Sequence, residues 1–204
     1  MCIRDSCYDV WEHTLHALDA APSDSVLRWA VLFHDMGKPE CFALDTQGIG
    51  HFMGHGVVSR RIADGVMDRL RFENAAKERI GELVEWHDHR VETEKGVRRM
   101  LNRFGERNFR YLLAIQRADN MGQAEEFRGR QKEIDRIEAM LDRELEKGSC
   151  FSLKQLAVNG NDLLGLGLSG PAVGRTLQGL LDQVMDGTLP NDRDALLTAA
   201  GKIR

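Results

Sequence analysis

Apolar positions recur at helical spacing over most of the chain. Val10, Thr14 and Leu18 form one row with Trp11 and Leu15 beside it, which predicts a helix over 8–20. Pro22 ends that segment, and Ser23 or Asp24 can cap a second helix running to Met36. Gly37 and then Pro39 supply its stop signal. Residues 41–52 carry Gly48 and Gly50 around short apolar stretches, so a small hairpin or an irregular loop is expected. Helices are predicted at about 55–71, 74–87, 95–104 and 109–124. The segment 130–147 is a charged amphipathic helix with Ile134, Ile137, Leu141 and Leu145 on one face. Gly148-Ser149 marks a boundary, because Gly160, Gly165, Gly167, Gly170 and Gly174 crowd the C-terminal stretch beyond it. Pro171 is placed to open a helix reaching Asp186, and a last helix starts after Pro190-Asn191. No repeat or low-complexity tract intervenes. The expected fold class is all-α: a helical bundle with a smaller C-terminal helical region after it.

Composition supports a folded core, with 42% hydrophobic and 29% charged residues. Twenty-eight basic residues against 32 acidic ones give a net charge of −4, which excludes a bulk polycation but not a local basic face. No apolar run approaches the roughly 18 residues of a membrane span, and no signal-peptide core comes after the start. Cys2, Cys7, Cys41 and Cys150 form no CxxC pair, so a reduced, cytoplasmic setting is the simplest expectation. Met1-Cys2-Ile3-Arg4-Asp5-Ser6 resembles a translated sequencing adaptor and is set aside from the fold. The gene is accordingly expected to extend upstream, with this chain a fragment.

The candidate chemistry lies where polar residues continue apolar helix faces. Leu27, Ala30, Val31 and His34 are spaced i, i+3, i+4, i+7, and Ile80, Leu83, Val84 and His87 repeat that spacing. Asp119 succeeds Leu112 and Ile115 in the same manner. His55 precedes Val58 and Ile62, and His13 shares a face with Val10 and Ala17. A lone histidine on such a face is most often a satisfied core residue. Five helices each aiming one metal-competent side chain inward, with Asp35 adjoining His34, favour a site instead. His16, His51 and His89 fall off these stripes and are expected at the surface or behind the site. Mixed imidazole and carboxylate donors suit a divalent ion such as Mn, Fe, Ni, Co, Zn or Mg. Six donors suffice for one ion, or for two sharing Asp35 as a bridge.

In the order H…HD…H…H…D, these residues, with Leu32-Phe33-His34-Asp35-Met36-Gly37-Lys38 at their centre, resemble the HD phosphohydrolase superfamily. The resemblance implies metal ligation by His13, His34, Asp35, His55, His87 and Asp119. It also implies catalytic roles for Asp35 and for Lys38 near a substrate phosphate. A narrower resemblance rests on Val10-Trp11-Glu12-His13-Thr14-Leu15, Gly50-His51-Phe52-Met53-Gly54-His55 and Arg117-Ala118-Asp119-Asn120. Gly160-Asn161-Asp162-Leu163, Gly170-Pro171-Ala172-Val173-Gly174 and Leu189-Pro190-Asn191 extend it. These segments look like the bacterial CCA-adding tRNA nucleotidyltransferases that carry an HD domain. The resemblance implies an HD-type domain over 7–127, a connecting amphipathic helix over 128–148 and a tRNA-binding-like region over 149–204. It also implies that a polymerase-β-like head belongs upstream, so nucleotide addition is not expected from this fragment alone. Asp192-Arg193-Asp194 has an Asp-x-Asp spelling but opens a helix, and is read as capping charge.

A basic stripe is the second functional feature. Lys95, Arg98, Arg99, Arg103, Arg107, Arg110 and Arg117 face one acid, Glu106, within 95–117, and Lys95, Arg99 and Arg103 share a helix face. Such a stripe can track a phosphate backbone, and the tRNA resemblance makes Lys95, Arg98, Arg99, Arg103 and Arg107 the expected RNA contacts. The start of the Pro171 helix, between Gly170 and Gly174, offers either free amides for a phosphate or close helix packing. The leading expectation is thus a fragment acting in tRNA 3′-end maturation or repair, with a hydrolytic site for cyclic or monoester phosphates. A stand-alone hydrolase of small nucleotides and a non-catalytic RNA-binding body are the alternatives.

Overall fold

The computed structural model describes residues 9–123 and 125–202, so the adaptor-like residues 1–6 lie outside the described residues. Helices dominate, and the strands among the described residues form a single two-stranded hairpin. The all-α expectation holds.

Helix α1 (Val10–Ala20) is capped by Asp9, whose carboxylate accepts from the amides of Trp11 and Glu12. Asp24 does the same for α2 (Ser25–Phe33), accepting from Val26 and Leu27 at 2.9 and 3.1 Å. Helix α2 stops at Phe33, short of the expected Met36, and His34 to Gly37 turn out of it. The reason is packing. A Cβ on Gly37 would lie 2.5 Å from the His55 carbonyl oxygen and 2.7 Å from the Ser59 nitrogen, so this turn rests directly on the next long helix. The Gly37 amide also donates to the buried Ser59 hydroxyl at 2.8 Å.

A short helix α3 (Lys38–Cys41) leads into β1 (Ala43–Leu44) and β2 (Gly50–His51), paired antiparallel with Ala43 opposite His51 and Leu44 opposite Gly50. Asp45 closes this hairpin by accepting from the amides of Gln47 and Ile49, and Gly48 takes the left-handed conformation that the turn requires. Helices α4 (His55–Arg69) and α5 (Asn74–Trp86) then pack against each other. Gly56 permits the approach: a Cβ there would sit 2.5 Å from the Glu85 carbonyl oxygen.

The two helices expected over 95–104 and 109–124 form one element, α6 (Glu94–Gly122), broken at Gly105, where φ is 69° and ψ is 171°. A 3-10 turn over Glu125–Arg130 precedes α7 (Gln131–Glu146). Helix α8 (Gly160–Gly165) begins with an Asn159/Asp162 capping box. Helix α9 (Pro171–Met185) starts on its proline as expected. Helix α10 (Arg193–Gly201) is capped by Asp192, which accepts from the amides of Asp194 and Ala195. That is the capping role read from the sequence.

The chain folds as two compact units that interleave along it. One contains the described residues up to Arg90 together with Glu106–Glu138. Its core includes Leu27, Ala30, Val31, Ile80, Leu83, Val84, Leu112 and Ile115. The other contains Val91–Gly105 and the described residues from Ala139 onward, around Leu163, Leu180, Leu181, Met185 and Leu196. The composition change at Gly148-Ser149 falls inside this second unit, which also takes in the first half of α6.

Candidate metal centre

The two repeated apolar spacings end in the same device. His34 and His87 are each the residue just past a helix, α2 and α5, whose buried face their stripes build. Each ring turns back on its own helix: Nδ1 of His34 donates to the Val31 carbonyl at 2.6 Å, and Nδ1 of His87 to the Val84 carbonyl at 2.7 Å. These bonds satisfy carbonyls left open at the helix ends. They also place both rings at the negative poles of two helix dipoles, where a cation is favoured. His55, first residue of α4, makes the matching bond from Nδ1 to the Phe52 carbonyl at 2.9 Å. His13 comes from α1, held against the end of α6 because a Cβ on Gly122 would lie 2.9 Å from the Ala17 nitrogen. That contact brings His13 Nε2 to 2.8 Å from Asp119 Oδ1.

Asp35 lies at the centre, 1% exposed. Its Oδ2 faces His34 Nε2 at 3.3 Å, His13 Nε2 at 3.6 Å and Lys38 Nζ at 2.6 Å. Its Oδ1 faces His55 Nε2 at 3.5 Å and His87 Nε2 at 3.8 Å. The carboxylate therefore has one triad on each side: His13, His34 and Asp35, and Asp35, His55 and His87. Asp119 adjoins the first, 3.6 Å from His34 Nε2. All six residues expected as ligands, and Lys38, come together in the first unit.

Carbonyl oxygens only accept, so the three Nδ1 bonds fix the proton on Nδ1 and leave Nε2 of each neutral ring as a lone pair. His55 Nε2 and His87 Nε2 are 3.1 Å apart. Two lone pairs at that distance repel, and only a proton or a metal cation relieves them. His34 Nε2, Asp35 Oδ1 and His13 Nδ1 are buried with no hydrogen-bond partner. The cluster is rich in acceptors and short of donors, as a cation site must be.

Without metal, protons meet that demand. Burial opposes a charged His34, but the carboxylates of Asp35 and Asp119 overcome it and raise its pKa to about 10. Burial and the neighbouring positive charge of His34 push His87 down to about 4. Burial would raise Asp35, yet the charge of His34, the nearby ring of His55 and the Lys38 ammonium hold it well below its usual range. For Asp119 the burial penalty is likewise outweighed, by the hydrogen bond to His13 and the nearby charge of His34.

The basic stripe is distributed differently from its spelling. Lys95 and Arg99 both pair with Asp186, each at 2.9 Å. Arg98 is committed to the second unit's interior, donating to the buried Glu144 at 2.9 Å and to the Met185 carbonyl at 2.7 Å. The guanidinium of Arg103 lies over the Phe104 ring at 5.2 Å. Arg107, beyond the Gly105 break and in the first unit, stacks on Tyr111 and donates to its hydroxyl. The seven cations thus divide between the two units. Arg110 and Arg117 pair with Glu106, Asp135 and Glu138 in the first unit. Of the histidines left outside the site, His51 pairs with Asp45 on the hairpin and His89 packs on Trp86. Asp88 went unremarked in the sequence but places Oδ2 3.9 Å from His55 Nδ1; the His87-Asp88-His89 run was its one signal.

Fold and site together define an all-α protein with a buried, two-sided His/Asp cluster fit for a divalent metal. A family model for tRNA nucleotidyltransferase domain 2 matches residues 56–200, and the chain belongs to that family. It is 33% identical over 196 residues to a CC-adding tRNA nucleotidyltransferase of Thermus thermophilus, covering 91% of this chain and 43% of that protein. An A-adding tRNA nucleotidyltransferase of Deinococcus radiodurans is 38% identical over 85 residues, 39% of this chain and 20% of that protein. A CCA-adding enzyme of Limosilactobacillus fermentum is 48% identical over 50 residues, 24% of this chain and 12% of that protein. The chain thus spans less than half the length of these curated relatives.

The two imidazole shifts act on stability in opposite directions. His34 binds its proton more tightly folded than unfolded, so its contribution is complete below pH 6.5 and is lost as pH rises toward 10. His87 is held neutral, so stability is lost as pH falls from 6.5 toward 4. Thermal melts of metal-stripped protein should therefore peak near pH 6.5. His34→Gln should flatten the alkaline limb and, by removing the charge that helps hold His87 neutral, soften the acid limb as well; an alkaline limb equally steep in that variant would contradict the assignment.

Proposed function

We propose that this chain carries an HD-type, metal-dependent phosphohydrolase centre within a protein of tRNA 3′-end maturation or repair, acting on cyclic or monoester phosphates in the cytoplasm. The observation that carries the reading is the central Asp35 carboxylate with two imidazoles facing each of its oxygens. His13, His34, Asp35 and Asp119 would hold one divalent ion, and Asp35, His55 and His87 a second. The buried acceptors without partners support that fit. Bound there, such ions act as Lewis acids that make water more acidic and draw charge from phosphoryl oxygens.

The chain's own residues complete the chemistry. The Nδ1 bonds hold the rings in one orientation and keep each Nε2 basic. Lys38 neutralises Asp35 and, with its side chain still 13% exposed, can also meet an incoming phosphate oxygen. Asp119, hydrogen-bonded to His13 at 2.8 Å and held as a carboxylate, keeps a negative charge on the first triad that favours a cation there. Burial of the remaining groups excludes bulk solvent and strengthens each of these interactions.

The relatives' names add tRNA as the phosphate-bearing partner. Lys95, Arg99 and Arg103 are the cations proposed to meet its backbone, with phosphates replacing Asp186 as the partner of Lys95 and Arg99.

Two measurements test these statements. Purified protein should hydrolyse a generic phosphate monoester with Mn, Fe, Ni, Co, Zn or Mg supplied in turn. His34→Ala and Asp35→Ala should each reduce the rate at least about a hundredfold while far-UV circular dichroism stays helical. Full activity after exhaustive chelation would remove the proposal. For RNA, Arg99→Ala/Arg103→Ala should weaken binding to all tRNAs about equally at low salt and make the salt slope shallower. Unchanged affinity in the double variant would return these arginines to a purely structural role.

A further inference from the structure

The hairpin beside the cluster exposes aromatic and apolar surface that the fold does not use. Of the eleven large hydrophobic residues exposed among the described residues, five fall within 36–57: Met36, Phe42, Leu44, Met53 and Val57. Phe42 is 42% exposed and leans on Phe52, with ring centroids 5.6 Å apart and planes at 43°. This aromatic pair is anchored rather than loose. A Cβ on Gly50 would lie 2.6 Å from the Phe42 ring, so β2 closes against one side of it. The hairpin is pinned by Asp45, which binds the amides of Gln47 and Ile49 and the ring of His51.

The pair is also continuous with the metal cluster. The Phe52 carbonyl accepts from His55 Nδ1 at 2.9 Å, so the residue that orients one imidazole also carries the lower ring of the pair. Lys38 Nζ lies 5.8 Å from the Phe52 ring centroid and 2.6 Å from Asp35 Oδ2. Three features therefore succeed one another along this surface: the carboxylate and imidazole cluster, an ammonium group, and an exposed aromatic face. A nucleotide presents matching chemistry in the same order: a phosphate for the cluster and the ammonium, and a planar base for the aromatic face, with the sugar spanning between them. Base stacking on an aromatic ring is tolerant of sequence and gives about tenfold or more in affinity per base.

We propose that Phe42, backed by Phe52, is a stacking platform for the nucleobase of the substrate, making the site selective for nucleoside phosphates over simple phosphate esters. This rests on the hydrolytic reading of the Asp35 cluster for the location of the phosphate. The base can belong to a free nucleotide or to the terminal nucleotide of an RNA, since both present the same planar face.

The test compares the parent chain with Phe42→Leu, which keeps apolar bulk without a π-face, and Phe42→Trp, which enlarges that face. Hydrolysis of adenosine 2′-monophosphate, of a short oligonucleotide with a terminal phosphate and of glycerol 2-phosphate is measured alongside calorimetric binding of adenosine 2′-monophosphate to metal-stripped protein. In Phe42→Leu the ratio of kcat/KM for the nucleotide over glycerol phosphate should fall about tenfold, through KM, and nucleotide binding should weaken about as much. Phe42→Trp should restore both. Whichever of the mononucleotide and the oligonucleotide shows the larger loss identifies the source of the base. Nucleotide binding and the ratio both unchanged in Phe42→Leu would overturn the platform and assign this surface to a protein contact. If no ester is hydrolysed by the parent, the hydrolytic reading fails, and the binding comparison still decides the platform.

Discussion

A single carboxylate sets the terms for the first unit. Asp35 is sealed from water, and an isolated charge there would be very costly. It is tolerated because four imidazoles and the Lys38 ammonium surround it. Those partners arrive from separate parts of the chain, so α1, α3, α4 and the ends of α2 and α5 must all be seated before the charge is met. The close approaches at Gly37, Gly56 and Gly122 serve that requirement directly. Each removes a side chain where a helix carrying one of these donors meets its neighbour.

The same constraint links stability to function. Three Nδ1 atoms spend their protons on carbonyls, two of them at helix ends, which leaves a ring of lone pairs and carboxylate oxygens facing inward. Such a ring is held together by protons when metal is absent and is already shaped for cations when metal is supplied. With Asp35 divided between two triads, one ion or two would differ in which side is filled, not in the fold.

Much of this was legible in the sequence because burial and helical period go together. The spacing Leu27, Ala30, Val31, His34 and its repeat at Ile80, Leu83, Val84, His87 put both rings on core faces, and the structure buries both. Asp24, Pro171 and Asp192 marked helix starts by local chemistry alone. What periodicity could not carry was contact between distant segments. The early end of α2 depends on Gly37 meeting α4, and the joining of two expected helices depends on Gly105 bending rather than terminating. The stripe from Lys95 to Arg117 looked continuous because its counter-charges, Asp186, Glu144 and Glu138, lie far along the chain. The Phe42–Phe52 pair was hidden for the same reason: ten residues and a hairpin turn separate two rings that touch.

Element-specific anomalous scattering from crystals grown with Mn decides whether divalent ions share Asp35. An anomalous peak is expected within coordination distance of Asp35 and an imidazole Nε2, on the His34 side, the His55–His87 side or both, and its loss in Asp35→Ala crystals that keep the fold. Anomalous density confined to surface carboxylates, with Asp35 and its four histidines bridged only by protons or water at saturating Mn, would contradict it.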